Sequence, residues 1–452
     1  MTIPSQPGVQ AANPAEPPPA ADRERRTFIR GLVLITVLGF AVRLAYVLIA
    51  RRNHVPGGDA FFYHVGANLL VDGKGFIAPL PYALGARIQA ADHPPLYITF
   101  LAIPSAVGLR TALEHVLWSM LLGTGTIVVT GALGRRVAGV RVGLVAAALA
   151  AVYPNIWLHD GALLSETMAI FVATVTLLLA YRAWDRPSMG RIVALGAACG
   201  AAMLSRSELA LLVPALLAPV VLLARGISLR DRLKRLAAGT LVALVVVAPW
   251  VGYNLSRFSH PVLLSSQFEA TLAGANCRDT YHGPSLGSIT STCVKGLDPT
   301  TDESEASVVL RDRAQDFVRD NLGRVPVVVA ARVGRVIGVY SPHRLIDVEV
   351  FFEGRERWLA TLELITFYPV AIGAIAGAVV LRRRRTVPLF PLLALPGIVI
   401  FTVAVTYGSN RFRAPAETSL VVLAAIAIDA LWVRWTSRSR EPRQGSTARA
   451  GV

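Results

Sequence analysis

Apolar stretches of near-membrane width recur along this chain, separated by short basic runs. They cover residues 28–50, 112–133, 139–157, 164–182, 191–206, 208–224, 236–253, 358–381, 386–407 and 417–435. A crossing helix needs about 20 predominantly apolar residues, so the pattern predicts an all-α polytopic membrane protein with about 10 transmembrane helices. Basic clusters at Arg135, Arg136 and Arg141, at Arg182, Arg186 and Arg191, across 225–235, across 382–385 and from Arg434 onward mark the loops retained in the cytoplasm. With ten crossings every cluster falls on that side, together with both termini. Two further apolar segments break this parity if counted as spans. Residues 96–109 are short, follow Pro94-Pro95 and contain Pro104, while 325–339 carries Arg332 and Arg335; both read as interfacial helices.

The resulting protein is lopsided. Two long segments, 51–111 and 254–357, lie outside as the first and second large extracytoplasmic loops of one transmembrane domain spanning 28–435. The cytoplasmic side carries only short basic loops and two tails, 1–27 and 436–452, whose Pro- and Ala-rich or polar composition predicts disorder. The first apolar run is too long for a signal-peptide core and lacks a small-residue cleavage site, so it is retained. Chemistry concentrated in external loops suits a multi-pass protein of the cell membrane.

Composition agrees. Hydrophobic residues make up 54% and charged residues 16% of the 452 residues, with mean hydropathy +0.52, which a soluble domain of this size does not show. The formal charge of +16 is dispersed among the short loops rather than gathered in one stripe, which argues against a nucleic-acid partner. Cys277 and Cys293 both fall in the second external loop, where an oxidising environment predicts a disulfide closing about seventeen residues. A metal pair is less favoured because no CxxC spacing is present. Cys199 sits within a helix and reads as a small packing residue.

The external face also collects Asp59, Tyr63, His64, Asp92, His93, His159, Asp160, Glu166, Arg206, Glu208, Asn254, Arg257, Arg411 and Arg413. Each alone can be an interfacial charge reaching for water. As a set drawn from separate loops, acids and arginines at membrane depth indicate a site for a phosphate-bearing ligand. Asp59 follows Gly57-Gly58 and opens an amphipathic run, 60–71, ending in Asp72-Gly73-Lys74-Gly75-Phe76. His93 precedes Pro94-Pro95 at the start of an interfacial helix. Arg411-Phe412-Arg413-Ala414-Pro415 offers two guanidiniums as a lipid-phosphate clamp.

Several motifs recur in order: Gly58-Asp59-Ala60-Phe61-Phe62-Tyr63 with Gly73-Lys74-Gly75-Phe76, His93-Pro94-Pro95-Leu96-Tyr97, Tyr153-Pro154 and Leu164-Ser165-Glu166. Leu204-Ser205-Arg206-Ser207-Glu208, Pro249-Trp250 with Asn254, and Arg411-Phe412-Arg413-Ala414-Pro415 complete the set. Over about 28–435 this series resembles the GT-C membrane glycosyltransferases, in particular the family 39-like group with its protein O-mannosyltransferases and lipid A aminoarabinose transferases. The resemblance implies a polyprenyl-phosphate monosaccharide donor, hexosyl or pentosyl, and a hydroxyl acceptor on a glycan, lipid or protein at the extracytoplasmic face. Asp59 matches the catalytic acid, acting as general base in an inverting displacement. Glu166 matches the second acid, for substrate or for a divalent cation if one takes part. His93, Arg206, Arg411 and Arg413 fall at donor-phosphate positions, with Tyr63 and Glu208 in support. Many relatives have Asp-Glu where this chain has Asp59-Ala60, which weakens any metal or acceptor role resting on that Glu.

Two other classes compete. A transporter or flippase of a lipid-linked sugar also needs many spans and buried charge, but such folds commonly show paired repeats with broken helices, and no internal repeat is evident. A non-catalytic lipid-binding membrane scaffold is the third. The transferase accounts best for charged loop residues gathered on one side.

Overall fold

The computed structural model describes residues 20–296 and 302–438, which are helical apart from turns and connecting loops. In chain order the helices that matter are α1 (Ala20–Tyr46), α2 (Gly58–Val71), α3 (Leu96–Ala106), α4 (Ala112–Ala138) and α5 (Val140–Val152). They continue with α6 (Ser165–Asp185), α7 (Met189–Ser205), α8 (Leu229–Leu255), α9 (Gln267–Ala275), α10 (Glu303–Asp320) and α11 (Val325–Val336). The last four are α12 (Pro342–Glu353), α13 (Arg357–Arg384), α14 (Phe390–Val405) and α15 (Glu417–Arg438). Short 3-10 and π-helical turns link them, notably Ser207–Leu211, Val213–Leu217 and Asn410–Ala416.

This is an all-α polytopic membrane fold. Every expected crossing falls on helix, but their lengths differ. Among the described residues six helices are long and apolar enough to span a membrane, and α5 with the segment to Gly161 makes a seventh, bent by 65°. The remaining three expected crossings, at Met189–Ser205, Ser207–Leu222 and Phe390–Val405, are apolar but shorter. The first helix starts at Ala20 rather than 28. Asp22 sits in its first turn, where a carboxylate complements the helix dipole, and the Arg and Glu that follow are good helix formers. The helix therefore extends into the expected tail. The rest of both expected tails, 1–19 and 439–452, lies outside the described residues.

Burial ranks the helices. About two thirds of the apolar windows of α6 and of the segment containing α15 are buried (67% each), against 17% for α1 and 22% for α8 and α13. The first pair forms the protein-packed centre, while α1, α8 and α13 keep apolar faces outward for lipid. Close approach is built from small residues. A Cβ on Gly377 of α13 would lie 1.8 Å from the Leu423 carbonyl oxygen on α15, so only glycine permits that contact. Arg43 of α1, buried, reaches Asp160 at 2.7 Å beyond the bend after α5, which gives an intramembrane charge the partner it needs.

The second loop folds back onto the bundle. Its Cys277 and Cys293 form the expected disulfide. On α11, Arg332 donates to the carbonyl oxygens of Ala275 and Ala404, at 2.7 and 2.9 Å, and Arg335 to those of Leu286 and Pro284, at 2.8 and 3.1 Å. These buried arginines satisfy carbonyls at the ends of α9 and α14 and in the turn around 284–286.

Candidate functional site

The site is assembled from helix starts and turns. Gly58 adopts φ +51°, a left-handed conformation that glycine takes without penalty, and it turns the chain into α2. Asp59 therefore sits in the first turn of α2, where the exposed N–H groups favour a carboxylate. One turn on, Tyr63 is buried and its ring lies 4.9 Å from that of His93 and 5.1 Å from that of Tyr97 on α3. His93 is held against the rings of Tyr63 and Phe62, the latter at 5.1 Å, with Nε2 3.7 Å from Asp59 Oδ1, near enough for electrostatic contact and too long for a hydrogen bond.

Glu166 enters from another side, as the second residue of α6. The preceding turn is strained: buried Leu163 has φ +53°, a rare state for a bulky residue that costs about 1–2 kcal/mol. Such outliers persist where the surroundings fix them, often at sites. Glu166 Oε1 accepts from Arg206 Nη1 at 2.8 Å and from Arg411 Nε at 2.6 Å. Arg206 also contacts Glu208 at 2.5 Å. Arg411 Nη2 lies 2.9 Å from Asp59 Oδ2, and Arg411 Nε lies 3.2 Å from Glu353 Oε1 at the end of α12. Phe412 lies under the Arg206 guanidinium at 5.6 Å.

These groups surround one cavity of about 480 Å³. Asp59, Tyr63, Asp92, His93, Ser165, Arg206, Glu208 and Arg411 supply its polar lining. Leu211, Phe401 and Val405 supply apolar lining, and Gln267, Phe268, Thr271 and Ile289 come from the second loop. Burial by itself would raise the Asp59 pKa, but the Arg411 guanidinium, helped by His93, holds this carboxyl well below the usual range. Asp59 is therefore ionised throughout the neutral range.

Of the residues expected at a site, Asp59, Tyr63, His93, Glu166, Arg206, Glu208 and Arg411 converge. Arg413 does not. Two residues along a 3-10 turn rotate the side-chain direction by about 240°, and Arg413 does not line the cavity. It is buried against Glu417 and Asn155, donates to the Val336 carbonyl oxygen at 2.8 Å and lies 3.8 Å from the Phe367 ring. All its directions are used, so its expected role as a phosphate contact is replaced by a packing role.

Other members of the external set are likewise occupied. His64 faces His115 at 3.1 Å, His159 faces Arg355 at 3.0 Å, and Asn254 accepts from Arg257, which clamps the carbonyl oxygens of Phe76 and Ala90 at 2.7 Å each. The Gly73-to-Phe76 and Pro249-to-Asn254 motifs thus meet one another: Phe76 packs on Trp250 at 4.8 Å. Ala60 is buried and supplies no second carboxylate next to Asp59 in the chain. Among the described residues no group of three or more His, Cys, Asp or Glu side chains converges to hold a metal ion, and Glu166 turns its carboxylate to two guanidiniums instead.

One participant, Glu353, had no sequence signal of its own, whereas Asp92 belonged to the expected external set. Glu353 lies in the acidic-basic stretch Glu353-Gly354-Arg355-Glu356-Arg357 at the far end of the second loop. Asp92, beside His93, packs against Glu303 of α10, whose carboxylate accepts from the Ala91 N–H at 2.8 Å and from the Ser266 hydroxyl at 2.7 Å. Burial, then the neighbouring Asp92, pushes the Glu303 pKa up to about 8.

Comparison with known proteins supplies the family context. Residues 92–253 match the family model described as dolichyl-phosphate-mannose-protein mannosyltransferase. The archaeal oligosaccharyltransferase AglB from Archaeoglobus fulgidus, solved with an inhibitory peptide and a dolichol-phosphate, superposes with a TM-score of 0.56 over 93% of this chain and 53% of that one, at 16% identity. The fold is GT-C. The same Archaeoglobus fulgidus oligosaccharyltransferase tethered to an acceptor peptide gives a TM-score of 0.54 at 17% identity, over 95% of this chain and 53% of that one. The chain spans about half the length of these solved structures. No curated protein sequence matches it. Its resemblance to the GT-C membrane glycosyltransferases, read from the ordered motifs, thus agrees with a family model and with a shared fold.

Proposed function

We propose that this protein is a membrane glycosyltransferase that moves a monosaccharide from a polyprenyl-phosphate donor to a hydroxyl acceptor at the extracytoplasmic face, with inversion. The carrying observation is the 2.9 Å contact between Asp59 and Arg411 in a cavity lined by both charged and apolar side chains. A lipid-linked sugar phosphate needs that combination: a carboxylate for the acceptor proton, guanidiniums for the leaving phosphate and an apolar approach for the prenyl chain. The matched family model names a dolichyl-phosphate sugar and the AglB structure holds a dolichol-phosphate, which supports the donor class.

In the reaction the acceptor oxygen attacks C1 of the sugar and its proton passes to the Asp59 carboxylate. The C1–O bond to phosphate breaks, and its electron pair leaves on the phosphate oxygen as polyprenyl phosphate. Arg411 and Arg206 stabilise that developing charge, with His93 at the edge of the phosphate position. An Asp held at low pKa is a weak base at rest. Proton loss late in the displacement asks little of it, and any shift of Arg411 onto the donor phosphate raises its basicity. Glu166 keeps the two arginines aimed into one cavity. The wall formed by Gln267, Phe268, Thr271 and Ile289 faces the acceptor.

The topology that goes with this reading has ten crossings, both termini in the cytoplasm and the 51–111 and 254–357 segments outside, within a single membrane domain. The test is transfer of labelled sugar from a synthetic polyprenyl-phosphate donor by purified protein. Asp59→Asn abolishes transfer while membrane insertion and thermal stability persist. Full transfer by that variant sinks the assignment, and lipid crossing without a glycosidic bond favours a flippase.

A further inference from the structure

The two arginines of the site are already shared among more carboxylates than they can neutralise. Arg411 contacts Asp59, Glu166 and Glu353, and Arg206 contacts Glu166 and Glu208. Four carboxylates thus face two guanidiniums before any ligand arrives. A lipid phosphate adds further negative charge, so one of the existing pairs must yield for Arg411 to reach it.

The geometry identifies which. Glu166 is fully buried and held at 2.6 and 2.8 Å by both arginines. Asp59 belongs to the proposed chemistry. Glu353 makes the longest of the Arg411 contacts, 3.2 Å, and its other oxygen already rests on Arg355 at 2.9 Å. It therefore has a second partner to stay with when Arg411 leaves. Its position is fixed independently: Gly354 follows in a left-handed conformation, φ +57°, and its carbonyl oxygen accepts from Arg51 at 2.7 Å.

We infer that Glu353 is a positioning residue that parks Arg411 between the acids of the empty site and takes up a proton from solvent as a lipid phosphate draws Arg411 away. This rests on the polyprenyl-phosphate reading above and adds the group that competes with the ligand. The groups facing Glu353 are Arg355 beside it, Glu349 on its own helix, Glu363 on α13, Glu166 on α6 and Arg411, with Arg51 in the Val47–Arg51 turn that follows α1. His159 lies behind Arg355. Burial raises the Glu353 pKa, Arg355 and Arg411 pull it down, Glu166 and Glu363 push it up, and the balance lies above the usual carboxylate range. Moving Arg411 onto a phosphate removes one of the two lowering partners, so a proton becomes easier to hold at the moment it is needed. Glu349 is likewise raised by burial and by Glu363.

The test measures binding of a short-chain polyprenyl monophosphate to the purified full chain, across about pH 6 to 9. Wild type binds more weakly as pH rises, because the ionised Glu353 retains Arg411. Glu353→Gln, similar in size and unable to ionise, binds on the order of tenfold tighter at the alkaline end and loses most of that pH dependence. A folded Glu353→Gln protein that binds equally or more weakly overturns the inference, since a purely structural Glu353 predicts that result. Calorimetry of wild type in two buffers of different ionisation heat supplies a readout independent of the variant. Proton uptake on binding supports the inference, and its absence overturns it. Failure of wild type to bind the lipid phosphate at all removes the donor assignment too, a distinguishable outcome.

Discussion

Arg411 and Arg413 stand two residues apart on one turn, and exchanging each for Gln produces opposite failures. Arg413 is almost fully buried and bonds Glu417 and Asn155, with Glu417 itself 1% exposed. Replacing it strands a buried carboxylate, a change that costs about 3–5 kcal/mol, and the unfolding temperature in detergent falls by several degrees. Loss of the guanidinium over Phe367 at 3.8 Å adds about 0.5–2 kcal/mol. Arg411 leaves less behind: Glu166 keeps Arg206 at 2.8 Å, and Asp59, with a third of its side chain exposed, can be solvated. The stability loss there is about 1–2 kcal/mol, the scale of one charged hydrogen bond partly screened by water. Transfer, however, drops by about 10²–10³-fold, as when one preorganised donor to a developing anion is removed. Thermal unfolding and initial transfer rates on the same preparations separate the two effects. An Arg411→Gln protein that melts as early as Arg413→Gln, or an Arg413→Gln protein of wild-type stability, refutes the division of roles.

Asp59, held below the usual carboxylate range by Arg411, stays ionised as pH falls through 5, so wild-type transfer shows no acid limb from this group there. In Arg411→Gln the chief lowering partner is gone and the Asp59 pKa rises toward the ordinary carboxylate range, so residual activity acquires an acid limb at higher pH than in wild type, read from a pH–rate profile. Glu303, raised to about 8 from an unfolded value near 4.5, is protonated in the folded state. Its contribution is therefore fully present below about pH 4.5 and is lost as pH rises through about 8. Hydrogen exchange across 265–296 and α10 should accelerate over that window in wild type, and Glu303→Gln should flatten the dependence. Replacing Cys277 and Cys293 by Ser removes a link across 16 residues and costs the second loop about 3 kcal/mol. Limited proteolysis of 277–296 should rise while α4, α6 and α15 keep their protection.

The crossings were legible in the sequence because spanning a bilayer demands long apolar runs, and that constraint acts on composition alone. The bend after α5 and the three short helices were less so, since protein packing, rather than length, decides whether such segments are buried. Site residues announced themselves where charge interrupts an apolar run: Asp59, Glu166, Arg206 and Arg411 each do this. The Arg411–Arg413 pair could not be divided from sequence, because their different partners are set by long-range packing of the turn against α6, α15 and the segment around Asn155. Glu353 gave no signal among the many acids of the second loop. Its role depends on α12 folding back onto a turn nearly sixty residues later, a contact that no local spacing encodes. The Phe76 and Trp250 motifs carried the family resemblance yet serve to join the first loop to α8.

Transfer itself is the most direct measurement. Purified wild-type protein, given a polyprenyl phosphate carrying a labelled sugar and a hydroxyl acceptor, should form a glycosidic bond of inverted anomeric configuration and release polyprenyl phosphate, and Asp59→Asn should form none. Retained configuration, or undiminished transfer by Asp59→Asn, contradicts the account.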